Sequence, residues 1–374
     1  MVNLRGLDSL RGLLATYVLL GHARWLLWAG HTEWVKQPHS FWEIGIAYGS
    51  ALLRFGHEAV LVFFVLSGFF IHFRAANGIS EGKALALTAG RFYQRRVHRL
   101  LAPYLFALVL TFACDLVGRS WYPGLYAGAT GDALLDSNFA RNGYGLQSVI
   151  PAFFLLPSSL GHGFGSNGPL WSLAYEVVYY ALYPAWLALR RKSAARAYCL
   201  VPIACVGVGV PHFPFFPISV ATHYPVWLAG ALLAECLVAA RPTGWLVAGS
   251  ILAFAGGICL YAIAHQWIAS LVAGMLFGSA IVCAFALLPE GLLRLQLVQV
   301  FEFLGIRSYT IYITHFPLLA LICALAFEAL GSRPLNGWLA VSGGVLALGF
   351  CCLCFSICER HFLHPRLRFE SQSV

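Results

Sequence analysis

The chain has 374 residues, of which 60% are hydrophobic and only 10% charged, and its mean hydropathy is +0.75. Soluble globular domains are about 45–50% apolar and about 25% charged, so this composition excludes an ordinary soluble domain and calls for an apolar solvent, the bilayer. The formal net charge of +9 then reads as a membrane-facing bias, with no nucleic-acid partner expected.

A helical span needs roughly 20 apolar residues. In chain order, ten candidates cover about 7–28, 57–73, 98–118, 169–189, 196–211, 216–240, 243–263, 267–288, 308–330 and 337–358. The stretch 196–240 is the least regular, because Pro202, Pro211, Pro214, Pro217 and Pro225 interrupt it. Barrel strands would be about 10 residues long with strict alternation, unlike these runs. The expected fold is therefore all-α: a polytopic membrane protein of about ten transmembrane helices. It is expected to be a single membrane domain over residues 1–374, with no soluble appendage and no cleavable signal peptide. With a cytosolic N-terminus and alternating spans, 18 of the 24 Lys and Arg fall on the cytosolic side. Arg24, Lys36, Arg54, Arg119, Arg141 and Arg333 fall outside. That bias matches the positive-inside rule and places both termini in the cytosol.

The eleven cysteines all lie in or at the edge of apolar runs. They read as small, reduced helix residues rather than as disulfide partners. The cluster Cys351, Cys352, Cys354 and Cys358 lacks paired CxxC spacing and companion histidines, so no metal is expected there. Two long loops, 29–56 and 119–168, lie outside in this topology, and the cytosolic loop 74–97 is basic. SVIPAFFLLP at 148–157 is too short to span and has the length of a re-entrant segment. The string Gly163-Phe-Gly-Ser-Asn-Gly168 satisfies GxGxxG literally, but it follows no strand and reads as a turn.

Ionisable groups inside a membrane are costly, so each is a candidate for function. The first span carries Arg11 and His22. Eleven residues at about 100° each bring both to one face, about 16 Å apart along the axis. This suits an elongated ligand, with an anionic end at Arg11 and a reactive end at His22. The alternative is a snorkelling arginine and a hydrogen-bonded core histidine. Glu176 in the fourth span lies at a depth similar to that of His22 when both are counted from the outer surface. A carboxylate on an imidazole fixes its tautomer and raises its basicity, the arrangement of a general base. A structural ion pair between helices is the alternative. Arg96 and Arg99 share a helix face, and paired guanidinium groups bind phosphate bidentately; ordinary flanking charge is the bland reading.

LDSLRGLLATYVLLGH, VLVFFVLSGFFI at 60–71, RRVHRLLAPYL at 95–105, LWSLAYEVVYYALYP at 170–184 and SYTIYITHFPL at 308–318 together resemble the membrane-bound acyltransferase 3 family. ERHFLHP at 359–365 fits loosely. The motifs follow the family's order over nearly the whole chain. The resemblance implies transfer of an acyl group, most often acetyl from cytosolic acetyl-CoA, to a hydroxyl of an extracytoplasmic glycan or lipid-linked sugar. The expected setting is a bacterial cytoplasmic (inner) membrane. By motif position, Arg11 and His22 inherit the essential pair, Arg96 and Arg99 the basic donor-side motif, and Glu176 the carboxylate. Acyl-CoA is then the donor substrate and no metal is needed. The expected mechanism rests the donor phosphates on Arg96 and Arg99 and runs the pantetheine past Arg11. The thioester lies beside His22, which acts as general base while Glu176 holds its ring. Tyr309, Tyr312 and His315 line the same cavity, as does Ser67, whose other readings are an acyl carrier and a small packing residue. Some relatives carry a C-terminal soluble domain; here transfer is expected to finish in the membrane domain or through a separate periplasmic or glycan-assembly partner. The rival readings are a secondary transporter of a sugar or anion, which would also bury Arg, His and Glu, and a scaffold without chemistry.

Overall fold

The structure is a computed structural model that describes residues 2–83, 88–209, 216–239, 249, 251–253, 255–257 and 267–360. Among the described residues the regular structure is helical, and the only bridge between extended segments pairs Gly143 with Phe164. The principal helices are α1 (Leu4–Leu27), α2 (Phe41–Ser50), α3 (Gly56–Ser80), α4 (Ala89–Trp121), α5 (Leu146–Phe153), α6 (Trp171–Lys192), α7 (Val201–Gly209), α8 (Phe216–Ala239), α9 (Trp267–Ala286), α10 (Gln296–Ile306), α11 (Ser308–Leu330) and α12 (Trp338–Cys358). Short helical turns fill the loops between them.

Five helices among the described residues are long and apolar enough to cross a membrane: α3, α4, residues 219–239 of α8, α11 and α12. This is an integral membrane protein. Helices α1 and α6 have 24 and 22 residues, about 36 and 33 Å at the usual rise, and so have the length to cross as well. Their apolar character is diluted by Arg5, Asp8, Arg11 and Arg24 in one and by Glu176 and the terminal Arg190, Arg191 and Lys192 in the other. The span expected over 196–211 is instead a π-helical turn, Arg196–Leu200, leading into the nine-residue α7. Pro202 follows the π-helical turn without a break, and its missing N–H interrupts the regular helical bonding there. Most of the span expected over 243–263, and the tail motif beyond Arg360, lie outside the described residues.

The chain forms two compact units, each assembled from three separate segments. Unit 1 takes Met1–Leu14, His57–Tyr93 and Tyr175–Ile306; unit 2 takes Ala15–Gly56, Gln94–Ala174 and Arg307–Val374.

In unit 1, α3 and α8 approach backbone to backbone. A Cβ on Gly68 would collide with the Trp227 carbonyl, and one on Gly230 with the Val65 carbonyl. Small residues at such crossings let two helices pack closely without a hydrophobic driving force between them. Gly68→Ala and Gly230→Ala are therefore expected to cost about 1–3 kcal/mol each, the usual price of overpacking. Gly45→Ala, inside α2 where nothing lies within 4 Å, should instead hold or raise the unfolding temperature of the purified protein, since alanine is about 0.5–1 kcal/mol better than glycine in a helix.

Unit 2 contains both long loops and the cytosolic-side arginine motif of the sequence reading. Its interior includes Tyr104, Ala107, Leu108, Leu170, Leu173 and Ile313. Ser40 and Glu43 form a capping box at the start of α2, which satisfies two backbone donors reciprocally. Gly331 closes α11 in the left-handed conformation at φ 71°, where a side chain would be strained. The segment 148–157 forms the C-terminal part of the eight-residue α5 and the turns that follow it. Ser148, Pro151 and Ala152 of α5 are buried, and Leu146, Ile150 and Phe153 are exposed.

Candidate active site

His22 and His315 meet inside unit 2, with His22 Nδ1 2.8 Å from His315 Nε2. The rings are inclined by 14° with centroids 5.0 Å apart. That separation exceeds the N···N distance by about two ring radii, so the bond runs along the line of centres and in both ring planes, where ring lone pairs point. His315 is fully buried, and its Nδ1 lies 3.0 Å from the Ile311 carbonyl oxygen one turn earlier. His22 is half-buried. Phe316 packs edge-on against it at 5.2 Å and Trp25 at 6.1 Å, which leaves the imidazole little freedom to rotate.

Helix α11 carries more than His315. The Tyr309 hydroxyl donates to the Leu100 carbonyl at 3.2 Å, and the Tyr312 hydroxyl lies 2.6 Å from Ser172 Oγ. Leu100 directly follows the basic run on α4. There Arg95 and Arg99 are exposed and Arg96 is half-buried. Arg96 and Arg99 are three apart and Arg95 and Arg99 four apart, so each of these pairs shares a helix face. Along α11, Tyr309 and His315 are six residues, about 9 Å, apart; along α4, Arg96 and Leu100 are four residues, about 6 Å, apart.

The loop Gly163–Gly168 is a turn, tied down by a buried carboxylate rather than shaped for a nucleotide. Asp115 Oδ2 accepts the Ser166 backbone N–H at 2.7 Å and the Tyr144 hydroxyl at 2.8 Å. Gly165 has φ 54°, and a Cβ there would collide with the Tyr144 hydroxyl, so the position requires glycine. Burial and the neighbouring Asp115 carboxylate push the Tyr144 phenol upward, which keeps it a donor. Asn167 then donates to Thr111 Oγ1 at 3.0 Å and to the Ile313 carbonyl at 2.9 Å. The loop is thereby fastened to α11 two residues before His315.

The other site residues of the sequence reading lie in unit 1. Arg11 Nη1 is 3.2 Å from Asp8 Oδ1, and its guanidinium lies 5.8 Å from the centre of the Phe70 ring. Glu176 Oε1 accepts the Ser67 hydroxyl at 2.5 Å and the Tyr180 hydroxyl, and Ser67 Oγ also accepts the Trp227 indole N–H at 3.1 Å. The sequence reading gave Glu176 the task of holding the His22 ring. Within unit 2 His22 Nδ1 meets His315, and within unit 1 the carboxylate holds Ser67 and Tyr180. Ser67 is correspondingly anchored between two helices. Among the described residues the ten cysteines are unpaired, and no three His, Cys, Asp or Glu side chains converge as a metal site.

The pairing of His22 with His315 is the feature that sequence reasoning missed, although both histidines stood in quoted motifs. The His-Phe-Pro string in α11 was a signal, but the identity of a partner across two helices depends on how they pack.

Compared with known proteins, residues 4–356 match a family profile described as an acyltransferase domain. Over 184 residues the chain is 30% identical to "Acyltransferase MdmB" of Streptomyces mycarofaciens, covering 46% of this chain and 41% of that protein. The match thus spans less than half of the relative's length. No solved structure matches the chain.

Proposed function

This chain belongs to the membrane-bound acyltransferase 3 family, and on that premise we propose that it moves an acyl group, acetyl foremost, from cytosolic acyl-CoA to a hydroxyl of an extracytoplasmic glycan or lipid-linked sugar, with His22 as the general base. One observation carries the reading: unit 2 alone holds both an arginine cluster of the kind suited to phosphate and the half-buried His22 imidazole, at a separation that fits the donor. Four residues of α4 and six of α11 amount to about 15 Å. An extended pantetheine arm, about five residue-lengths of chain, covers roughly 15–18 Å. With phosphates on Arg96 and Arg99, the thioester reaches the level of His22.

The reaction then needs little else. His22 removes the proton of the acceptor hydroxyl, the oxygen attacks the thioester carbonyl, and the C–S bond breaks to release the CoA thiolate, which takes the proton back. Arg11 stands three turns before His22 on the continuous helix α1 and is proposed to steer the anionic donor. A bacterial inner membrane is the proposed location, with the acceptor approaching past the loops 29–56 and 119–168.

The test is turnover of purified protein with acetyl-CoA and soluble glycosides. Release of CoA thiol together with acetylated glycoside supports the reading. Glycoside counterflow in liposomes without thiol release would replace it with a transporter. In the same assay Arg96→Ala and Arg99→Ala are expected to raise KM for acetyl-CoA by roughly 10-fold or more, the value of a charge-assisted hydrogen bond, with kcat little changed. Lysine should rescue only in part, because the fork geometry is lost. Unchanged KM in both variants would reduce the cluster to a topology signal.

A further inference from the structure

We infer that His315 is a positioning residue that sets the tautomer of His22 by a relay starting at the Ile311 carbonyl; this rests on the proposed role of His22 as base. A carbonyl oxygen can only accept, so the proton on His315 Nδ1 is assigned by its 3.0 Å contact with Ile311. A neutral imidazole has one donor and one acceptor nitrogen. His315 Nε2 is therefore the acceptor, and the 2.8 Å contact requires His22 Nδ1 to carry the hydrogen. The lone pair of His22 is left on Nε2, the nitrogen with no hydrogen-bond partner among the described residues of unit 2.

A backbone carbonyl thus decides, through two rings, which nitrogen of the half-buried histidine is basic. Without it both tautomers of His22 would be populated, and the wrong one would present Nε2–H, which cannot accept a proton, to the acceptor. The in-plane geometry of the pair adds orientation to tautomer choice. When His22 takes the hydroxyl proton on Nε2, its Nδ1–H becomes a stronger donor to His315 Nε2, so the relay also steadies the imidazolium. His315 neither gains nor loses a proton; the one taken by His22 passes on to the departing thiolate. Fully buried beneath His22, His315 works only through that ring.

The test uses full-length protein with acetyl-CoA and soluble methyl glycosides. His315→Leu removes the acceptor and is expected to lower kcat roughly 10–100-fold, within the contribution of a general base, with KM for acetyl-CoA unchanged. His315→Gln restores an acceptor oxygen near the Nε2 position and is expected to recover most of that loss. Leu at wild-type kcat, or Gln as impaired as Leu, would overturn the relay. Because Leu could compromise folding, ¹⁵N-histidine NMR of the unmodified protein provides a second reading. The resonances lost in His22→Gln should show a lone pair on Nε2 and a proton on Nδ1. The opposite tautomer overturns the relay whatever the kinetics show. The two proposals fail separately: a fully active His22→Ala removes the general base, whereas an inactive His22→Ala beside an unimpaired His315→Leu removes only the relay.

Discussion

His22→Gln is expected to abolish acyl transfer while the protein inserts, purifies and unfolds as the wild type does. The amide can replace a hydrogen bond to His315 but cannot accept the acceptor's proton. The expected fall in kcat is roughly 10²–10⁴-fold, the contribution of one general base, with little change in KM for the donor, whose phosphates are proposed to rest about 15 Å away on the helix-rise count. The wild-type rate should decline toward acid pH as the imidazole charges, and this limb should vanish from the residual rate of the variant. Glu176→Gln is expected to be milder, because its carboxylate holds Ser67 and Tyr180. Turnover of purified variants with acetyl-CoA decides the matter. Near wild-type turnover in His22→Gln would remove His22 from the chemistry and return Ser67 to consideration as an acyl carrier.

The helical class was legible in the sequence because the bilayer imposes it: long apolar runs must satisfy their backbone groups internally. Five of the runs appear as long apolar helices among the described residues. The candidate base was legible for a related reason, since a histidine in an apolar span needs an explanation. Its partner was not. Depth counted from span ends assumes that helix ends lie in one plane, and within unit 2 they do not. His22 is five residues from the end of α1 at Leu27, whereas His315 is fifteen from the end of α11 at Leu330. The same count would therefore have placed the true neighbours about 15 Å apart in depth. Helix α11 overshoots because it is received beyond the end of α1. Arg333 donates there to the carbonyls of Trp25 and Trp28 at 2.7 and 3.1 Å and pairs with Asp132. Hydropathy cannot signal such an overshoot, since the apolar run of α11 is continuous on both sides of His315.

Glu235→Ala is expected to be the most destabilising single change away from the candidate site. Glu235 lies on α8 and gathers three groups of unit 1. Its Oε1 is 2.8 Å from His72 Nε2, from Arg190 Nε and from the Tyr198 hydroxyl, and Oε2 receives the Arg190 fork. His72 is completely buried and its other nitrogen lies 3.1 Å from the Tyr183 hydroxyl. The Glu235 and Arg190 side chains are only 15% and 18% exposed. Truncating the carboxylate leaves a guanidinium, an imidazole and a phenol without their acceptor in an apolar surround. Breaking such a pair costs about 3–5 kcal/mol, much of it from the charge left behind. Glu235→Gln keeps the shape and one acceptor oxygen and should cost less. The double replacement Arg190→Met with Glu235→Leu removes both charges and should recover part of the loss, because an apolar pair of similar volume has no desolvation penalty to offset. Thermal unfolding in detergent reads this ordering directly: Ala lowest, Gln and the double variant between it and wild type. Below its unfolding range, Glu235→Ala should retain wild-type kcat with acetyl-CoA. A variant that unfolds like the wild type yet transfers no acyl group would move this cluster out of the scaffold and into the reaction.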